Sequence, residues 1–413
     1  MGMPPSGSST NSFGHIADQV VRSLLQYVRL FSQALLRSGP RQVTLVHLKG
    51  IDAGTHVTPS VTQGAMGRVA DHFSIAQDDG LEGGLGSFHL LDGWSAAYPE
   101  TTGYIIPTLY ALSDRLQLPD LGERARRAAD WLVSIQRPDG GWQGGRVGED
   151  RPSVVFNSAQ VVRGLMATHA RTGRSVYLDA ARKCCDWIVQ VQEADGSWAR
   201  RNFLGAARVY DAYVAAPLLH MHALTGADRY RDAAVRQLEW VLPHQQPNGW
   251  FADADNTLRH NDRPITHTIA YTIDGLIESH GFLGDERLLA AARSAADALL
   301  EAFVRDGRLA GRYDHQWQGS EASITTGCAQ MAIAWSRLYV ITGEVRYADA
   351  RDRMIAWLIG VQGSLMHGPQ GSFGALPGSV PLWGRYEKFA CPNWAAKYFA
   401  DALLCAEGPL PAF

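Results

Sequence analysis

The chain has 413 residues, 46% hydrophobic and 19% charged, which is apolar enough for one large core or two ordinary ones and excludes wholesale disorder. Lys plus Arg (38) nearly cancels Asp plus Glu (41) and leaves a formal charge of −3, so general nucleic-acid binding or polybasic membrane binding is not expected as the main role. Cys184, Cys185, Cys328, Cys391 and Cys405 are odd in number, include an adjacent pair and contain no CxxC, which fits neither a disulfide framework nor a zinc knuckle.

Residues 1–14, rich in Gly, Ser and Pro, read as a flexible tail ahead of one domain over 15–408, with 15–95 as lead-in and 96–408 as repeats. No basic segment leads into an apolar run, so no signal peptide is visible. The apolar stretch Ile16–Leu36 carries Asp18, Arg22 and Arg29 and reads as an amphipathic helix rather than a membrane span. A cytoplasmic protein is expected. Val43 to Asp92 is less regular, with an extra helix expected near Gly67–Gln77.

The remainder repeats. Ala128–Trp142, Cys184–Trp198 and Gln237–Trp250 align, each with a Trp, a Gln five residues on and a Gly-containing turn that ends in Trp; Met354–Gln362 is a degenerate copy. The period, about 55 residues, fits a helical hairpin. In chain order the smaller, more apolar helices are predicted over Thr101–Leu116, Ser158–Arg171, Ala212–Thr225, Thr268–Ser279, Thr325–Ile341 and Trp394–Ala406. Between them fall Gly122–Ile135, Tyr177–Val191, Arg229–Leu242, Glu286–Phe303 and Tyr347–Val361, with a one-sided apolar stripe such as Ala125, Ala128, Ala129 and Leu132. The N-terminal helix Ile16–Arg37 is taken as the sixth of this second set. The pattern predicts an all-α (α/α)6 toroid of six inner and six outer helices, the inner ones carrying the Gly and Ala that let six helices crowd one axis.

Inner-to-outer links are short, as at Gly173-Arg174, Gly226-Ala227 and Gly343-Glu344. Outer-to-inner links are long, as at Arg137–Asn157, Gln245–His267 and Gly363–Asn393. Long loops carry function more often than short ones, so the working face is expected where the inner helices begin. Converging helix N-termini there favour an anionic group.

The Trp/Gln pattern at Trp131/Gln136/Trp142 and Trp187/Gln192/Trp198 resembles the QW repeats of squalene–hopene cyclases and prenyltransferase-like toroids, where it ties helix ends together. The stretches Trp94–Pro107 and Gly378–Tyr386, the latter followed by Pro392–Lys397, resemble toroid proteins encoded with bacterial surface-polysaccharide assembly. The layout also looks like six-hairpin glycosidases, uronate lyases and sugar epimerases. The resemblance covers about Asp78 to Leu404 and implies a carbohydrate substrate.

Most of the candidate site residues fall on the long loops and inner-helix starts. Glu100 opens the first inner helix and Asp211 the third; each is an ordinary helix-start residue, yet two carboxyls across one funnel would supply the acid and base of glycoside hydrolysis. His267 begins the fourth and, with Tyr98, Tyr210 or Tyr386, could instead abstract a proton α to a uronate carboxylate. Asn157 and Asn393 are good caps that could equally bind sugar hydroxyls or neutralise a carboxylate. Arg385 and Lys397 could hold an acidic sugar, and Glu321 sits on a loop with Trp317. Trp94, Trp317, Trp383 and Trp394 offer faces for sugar rings or isoprenoid cations. Glu100, Asp211, His267 and Arg385 are expected in one cavity.

Asp253-Ala-Asp255-Asn256 compares with the Asp-x-Asp-Asp motif of class II terpene cyclases, with Asn256 in place of the third acid. Cys328 and His367 alone do not make a metal site, and no phosphate loop, dinucleotide fingerprint or serine elbow appears. The sequence-based expectation is a carbohydrate-active enzyme of surface-polysaccharide metabolism, without metal or organic cofactor, that hydrolyses a bond in an acidic or amino-sugar oligo- or polysaccharide. No nucleic-acid partner and no integral span are expected. The alternatives are a uronate lyase or C5-epimerase, a terpene-cyclase-like enzyme and a non-catalytic glycan-binding toroid.

Overall fold

The structure, a computed structural model, describes residues 11–51, 57–80, 82–258 and 261–408. Among them are fourteen α-helices: α1 Asn11–Leu36, α2 Ser38–Lys49, α3 Pro59–Asp79, α4 Pro99–Leu116, α5 Pro119–Ser134, α6 Val155–Thr172, α7 Ser175–Gln190, α8 Ala212–Thr225, α9 Asp228–Val241, α10 Thr266–Leu283, α11 Glu286–Asp306, α12 Thr325–Thr342, α13 Val345–Gly363 and α14 Asn393–Glu407.

Six of these, α4, α6, α8, α10, α12 and α14, form the inner ring, each against the next, with α14 returning to α4. Small residues make the crossings possible. A methyl group on Gly164 would run into the Gly103 carbonyl, and one on Gly275 into the backbone of Ala212 and Tyr213. The outer ring is α3, α5, α7, α9, α11 and α13, so the toroid expected from the repeats is observed. Four inner helices end on a left-handed glycine (Gly173, Gly226, Gly284 and Gly343) whose N–H caps the last turn. That turn chemistry produces the short inner-to-outer links and places the inner N-termini together at the other end.

One assignment is corrected. The sixth outer helix is α3, which contains the helix expected near Gly67–Gln77, and not the N-terminal helix. Its stripe of Ala65, Met66, Val69, Ala70, Phe73 and Ala76 is buried in the main core. Helix α1 lies outside the ring, and its larger Leu and Val residues face outward. It is held to the loop end through Phe31 on Trp383 and Phe389, and through the Arg37 guanidinium on the Leu91 carbonyl. His47 of α2 links the Ser364 hydroxyl to the Leu382 N–H. The expected tail mostly lies outside the described residues; residues 11–14 belong to α1.

Strands are two-residue pairings confined to loops. Phe88–His89 sits between Gly93–Trp94 and Ala390–Cys391, Arg312–Tyr313 pairs with Gly319–Ser320, and Ser323–Ile324 pairs with Ser379–Val380. They staple the long loops over the end where the inner helices start. No helix among the described residues is long and apolar enough to cross a membrane.

Candidate active site at the mouth of the toroid

The inward faces of the inner helices stack into three tiers. On α10 the inward residues are His267, Tyr271, Asp274 and Glu278, spaced by four, three and four. On α4 they are Glu100, Tyr104 and Thr108, spaced by four; on α14, Trp394, Lys397, Tyr398 and Asp401. On α4 and α10 a polar residue therefore sits at the mouth, an aromatic below it and a polar or charged residue deeper still, while α14 brings Trp394 to the mouth, Tyr398 below it and Lys397 and Asp401 to the charged level.

The mouth is a cavity of about 380 Å³ lined by Glu100, His267, Tyr210, Tyr386, Glu387 and Trp394, among others. Glu100 is buried, and its Oε2 accepts a 2.6 Å hydrogen bond from Asn157 Nδ2, which also reaches the Tyr98 hydroxyl at 2.9 Å. Burial pushes the Glu100 carboxyl up to about 7, against a lowering by the Tyr98 hydroxyl. Burial also raises the phenols of Tyr98, Tyr104, Tyr210, Tyr271 and Tyr386, so each stays protonated at neutral pH. His267 is lowered to about 4 by burial and is neutral above that pH, its Nδ1 lying 2.7 Å from Gln330 Oε1. The carboxyl of Glu387 is raised by burial and opposed by Arg146.

The second tier is aromatic. Tyr271 packs on Tyr213 at 4.9 Å, Phe156 at 5.0 Å and Tyr398 at 5.8 Å, while Tyr104 meets Tyr398. The third tier is charged. Arg163 meets Glu278 at 2.7 Å, Arg337 bridges Asp274 and Glu278 at 3.1 and 3.0 Å, and Lys397 pairs with Asp401 at 2.8 Å. The cations cap the aromatic tier, Arg163 over Tyr213 and Lys397 over Tyr398, both at 3.9 Å. Three cations and three acids cancel there, and the funnel is closed below the mouth.

The structure brings Glu100, His267, Tyr98, Tyr210, Asn157, Tyr386 and Trp394 together as expected neighbours in one cavity. It does not bring Asp211 there: that carboxyl is fully buried, accepts from Asn202 Nδ2 at 2.6 Å, and lies behind Asn202, which does line the cavity. Burial raises its carboxyl well above the usual range. Arg385 and Glu321 line a second cavity of about 860 Å³ that shares Tyr386 with the first, and they pair with each other at 3.2 Å. The one-cavity expectation for Glu100, Asp211, His267 and Arg385 therefore fails for two of the four.

Four other candidates serve as struts away from the mouth. Trp94 packs on Phe88 and His72, and Trp317 donates to the Asn248 carbonyl at 2.9 Å. Trp383 packs on Phe31, and Asn393 donates to the Leu85 carbonyl. Lys397 belongs to the third tier.

Sequence reasoning passed over Glu387, Asn202, Arg151, Tyr104 and Tyr271, all lining the mouth. Tyr104 and Tyr271 follow Glu100 and His267 by four residues, a spacing that marks one helix face. Glu387 directly follows the Gly378–Tyr386 stretch, and its left-handed backbone (φ 48°) belongs to a tight loop that no periodicity describes. Asp255, from the cyclase-like motif, is fully buried. It accepts from the Thr257 and Leu258 N–H groups, the Thr257 hydroxyl, Asn261 and Arg312. It staples a loop, and only its neighbour Asn256 reaches the cavity.

The family described as squalene-hopene cyclase C-terminal domain matches residues 90–257. No curated protein matches the chain. Among solved structures, an unsaturated glucuronyl hydrolase specific for heparin aligns with a TM-score of 0.67 at 14% identity, over 84% of this chain and 97% of that one. The unsaturated glucuronyl hydrolase of Streptococcus agalactiae aligns at 0.61 and 12% identity, over 85% and 93%. That of Bacillus sp. GL1, responsible for degradation of glycosaminoglycan, aligns at 0.63 and 15%, over 83% and 96%. At such identities the likeness is one of fold: this chain is an α/α toroid of the same architecture.

Proposed function

We propose that the chain is a carbohydrate-active enzyme that hydrolyses a glycosidic bond at the end of a short oligosaccharide, with Glu100 as the general acid. The observation that carries this reading is the buried Glu100 carboxyl, held by Asn157 beside Tyr98 at the mouth of a funnel closed below, where burial raises it to about 7. A carboxyl near 7 can give a proton to a glycosidic oxygen at neutral pH and take one back. Glu387, which lines the same cavity, takes the proton of the attacking water, the part first expected of Asp211. The bond from the anomeric carbon to the leaving oxygen breaks as the bond to water forms, so no cofactor is needed.

Aromatic walls beside Asn157 and Asn202 suit sugar rings. The closed floor favours a chain end over an internal segment. Solved toroids of this architecture act on unsaturated glucuronyl sugars of glycosaminoglycans, which supports an anionic glycan as the substrate class. Five buried free thiols suit a reducing compartment, here the cytoplasm.

Proton abstraction is less well supported: His267 at about 4 is a weak base, and burial holds the neighbouring phenols protonated. Cyclisation of an isoprenoid loses its candidate acid, since Asp255 is committed to loop donors. The test is release of reducing ends from uronate-terminated di- and trisaccharides by Glu100→Gln and Glu387→Gln. Loss in both supports hydrolysis. Full activity in both, with loss only in His267→Ala or Tyr210→Phe, moves the assignment to elimination or epimerisation.

A further inference from the structure

The near-neutral total charge conceals a segregation. Residues 1–50 carry Arg22, Arg29, Arg37, Arg41 and Lys49 against the lone acid Asp18, a net +4, so the remaining chain carries −7 of the total −3. The positive part is the pair of helices left outside the ring, and it is also where exposed apolar residues concentrate. On α1, Val21, Leu24, Leu25 and Val28 are 51–66% exposed, and Leu35 and Leu36 follow at the same helical spacing. At 100° per residue these six fall within about a third of the helix circumference, with Arg22 and Arg29 along one margin. The side next to the stripe, across from the arginine margin, carries Tyr27, Phe31 and Ala34, which hold the helix to the toroid. On α2, Leu45 and Leu48 are exposed beside Arg41 and Lys49.

We propose that α1 and α2 form a docking surface for an anionic phospholipid bilayer, lying in the plane of the interface. A helix with a wide apolar stripe, cationic margins and no capacity to span is the form that sits at a headgroup boundary. The charge decides the occupant. A +4 patch is complementary to an anionic leaflet, whereas face-to-face pairing of two copies would set two +4 patches against each other. Because Gln26 and Tyr27 contact Lys388, next to Glu387, docking sets the mouth beside the membrane surface. The inference is independent of the chemistry at Glu100.

The experiment is co-sedimentation of the full chain with vesicles of phosphatidylcholine alone and of phosphatidylcholine mixed with phosphatidylglycerol, at low and high salt. Binding is expected only with phosphatidylglycerol and is expected to fall at high salt. Arg29→Gln and Arg41→Gln should each weaken it by about fivefold. The Leu25→Ser/Val28→Ser double variant should weaken it at least about tenfold, because the apolar contacts are lost. Circular dichroism of the variants checks that the toroid is intact. Absence of sedimentation with anionic vesicles overturns the proposal, as does unchanged binding by the double variant. A dimer in solution that Leu25→Ser/Val28→Ser dissociates would assign the stripe to a second copy instead.

Discussion

Gln362, at the end of α13, donates its side-chain amide to the Ala65 carbonyl of α3 at 3.2 Å and so ties the last outer helix to the first. The same amide reaches the Gly374 carbonyl in its own loop at 2.9 Å. This double contact recurs round the ring. Gln136 holds Gly140 and Ala180, Gln192 holds Gly196 and Ala233, Gln245 holds Gly249 and Ala291, and Gln77 holds Gly83 and Arg124. Each glutamine satisfies a carbonyl of its own turn and one on the next outer helix. The seam between α11 and α13 is held by Tyr347 and Arg346 on Asp297, a contact that Tyr177 on Asp130 and Tyr230 on Asp186 repeat at the seams from α5 to α7 and from α7 to α9.

Gln362→Ala is therefore expected to loosen the ring at its closure. Two buried carbonyls lose their donor, each at about 1–3 kcal/mol, so a loss of about 2–4 kcal/mol is expected in urea denaturation. Gln136→Ala, at a half-buried seam, should cost about half as much. Equal, negligible effects in both variants would show that helix packing alone closes the toroid.

The repeated glutamines, tryptophans and left-handed glycines made the ring legible, because each solves one local problem that recurs round the ring with nearly the same residues. The choice between α1 and α3 was not legible in that way. Both are amphipathic, and the Ala and Met stripe of α3 is less conspicuous than the Leu and Val stripe of α1, although only the small residues fit against α14 and α4. At the mouth, residues on inner helices were readable by position, as with Glu100 and His267. Asp211 shares that position, but Asn202 from the preceding loop intervenes. Glu387 is set by a non-repeating loop whose path depends on pairing with distant residues, such as Phe88 with Cys391.

Glu100→Gln should retain the fold and lower turnover by about 10²–10⁴, the range for a general acid. In the parent protein kcat/KM should fall as pH rises through about 7, because the proton to be donated is then lost. Asn157→Ala should move that limb, since Asn157 donates to the same carboxylate oxygen. A pH profile flat from 6 to 9 would remove Glu100 from the acid role.

The same carboxyl makes stability pH-dependent. Below the unfolded value of 4.5, Glu100 is protonated in both states and costs nothing. Between 4.5 and about 7 only the unfolded chain releases the proton, so stability falls as pH rises. Above 7 the loss is complete, on the order of 3 kcal/mol. Glu100→Gln should therefore be more stable than the parent at pH 8 and show little difference at pH 4, measured as ΔTm. The reverse order would contradict the buried, protonated assignment.

Arg163 and Glu278 test the lowest tier. Burial alone would raise Glu278, but Arg163 and Arg337 outweigh it and hold the carboxyl at about 2. Arg163→Met leaves that carboxylate with half its partners and uncovers the Tyr213 face, so a loss of about 3–5 kcal/mol is expected. Arg163→Met combined with Glu278→Leu should cost clearly less than the two singles together, because the second change removes the stranded charge. Strict additivity in denaturant melts would mean that the pair does not act as a unit.

Asp255 separates the two acid-based readings of the chain. Its two oxygens collect donors from Thr257, Leu258, Asn261, Ile265 and Arg312, at 2.6 to 3.4 Å. An acid engaged by that many donors is committed to holding its loop. Asp255→Asn would turn an N–H₂ group toward some of those donors and break the pairing with Arg312, so the loop should loosen and stability should fall by about 2–4 kcal/mol. Asn256 lines the mouth, so KM for an oligosaccharide should rise as its anchor shifts, while kcat stays within about threefold of the parent, as for a lost uniform binding contact. Steady-state kinetics and thermal melts on one preparation decide the matter. If kcat instead collapses while the melting temperature holds, Asp255 is the proton donor, and the chemistry belongs to the cyclase-like reading rather than to Glu100.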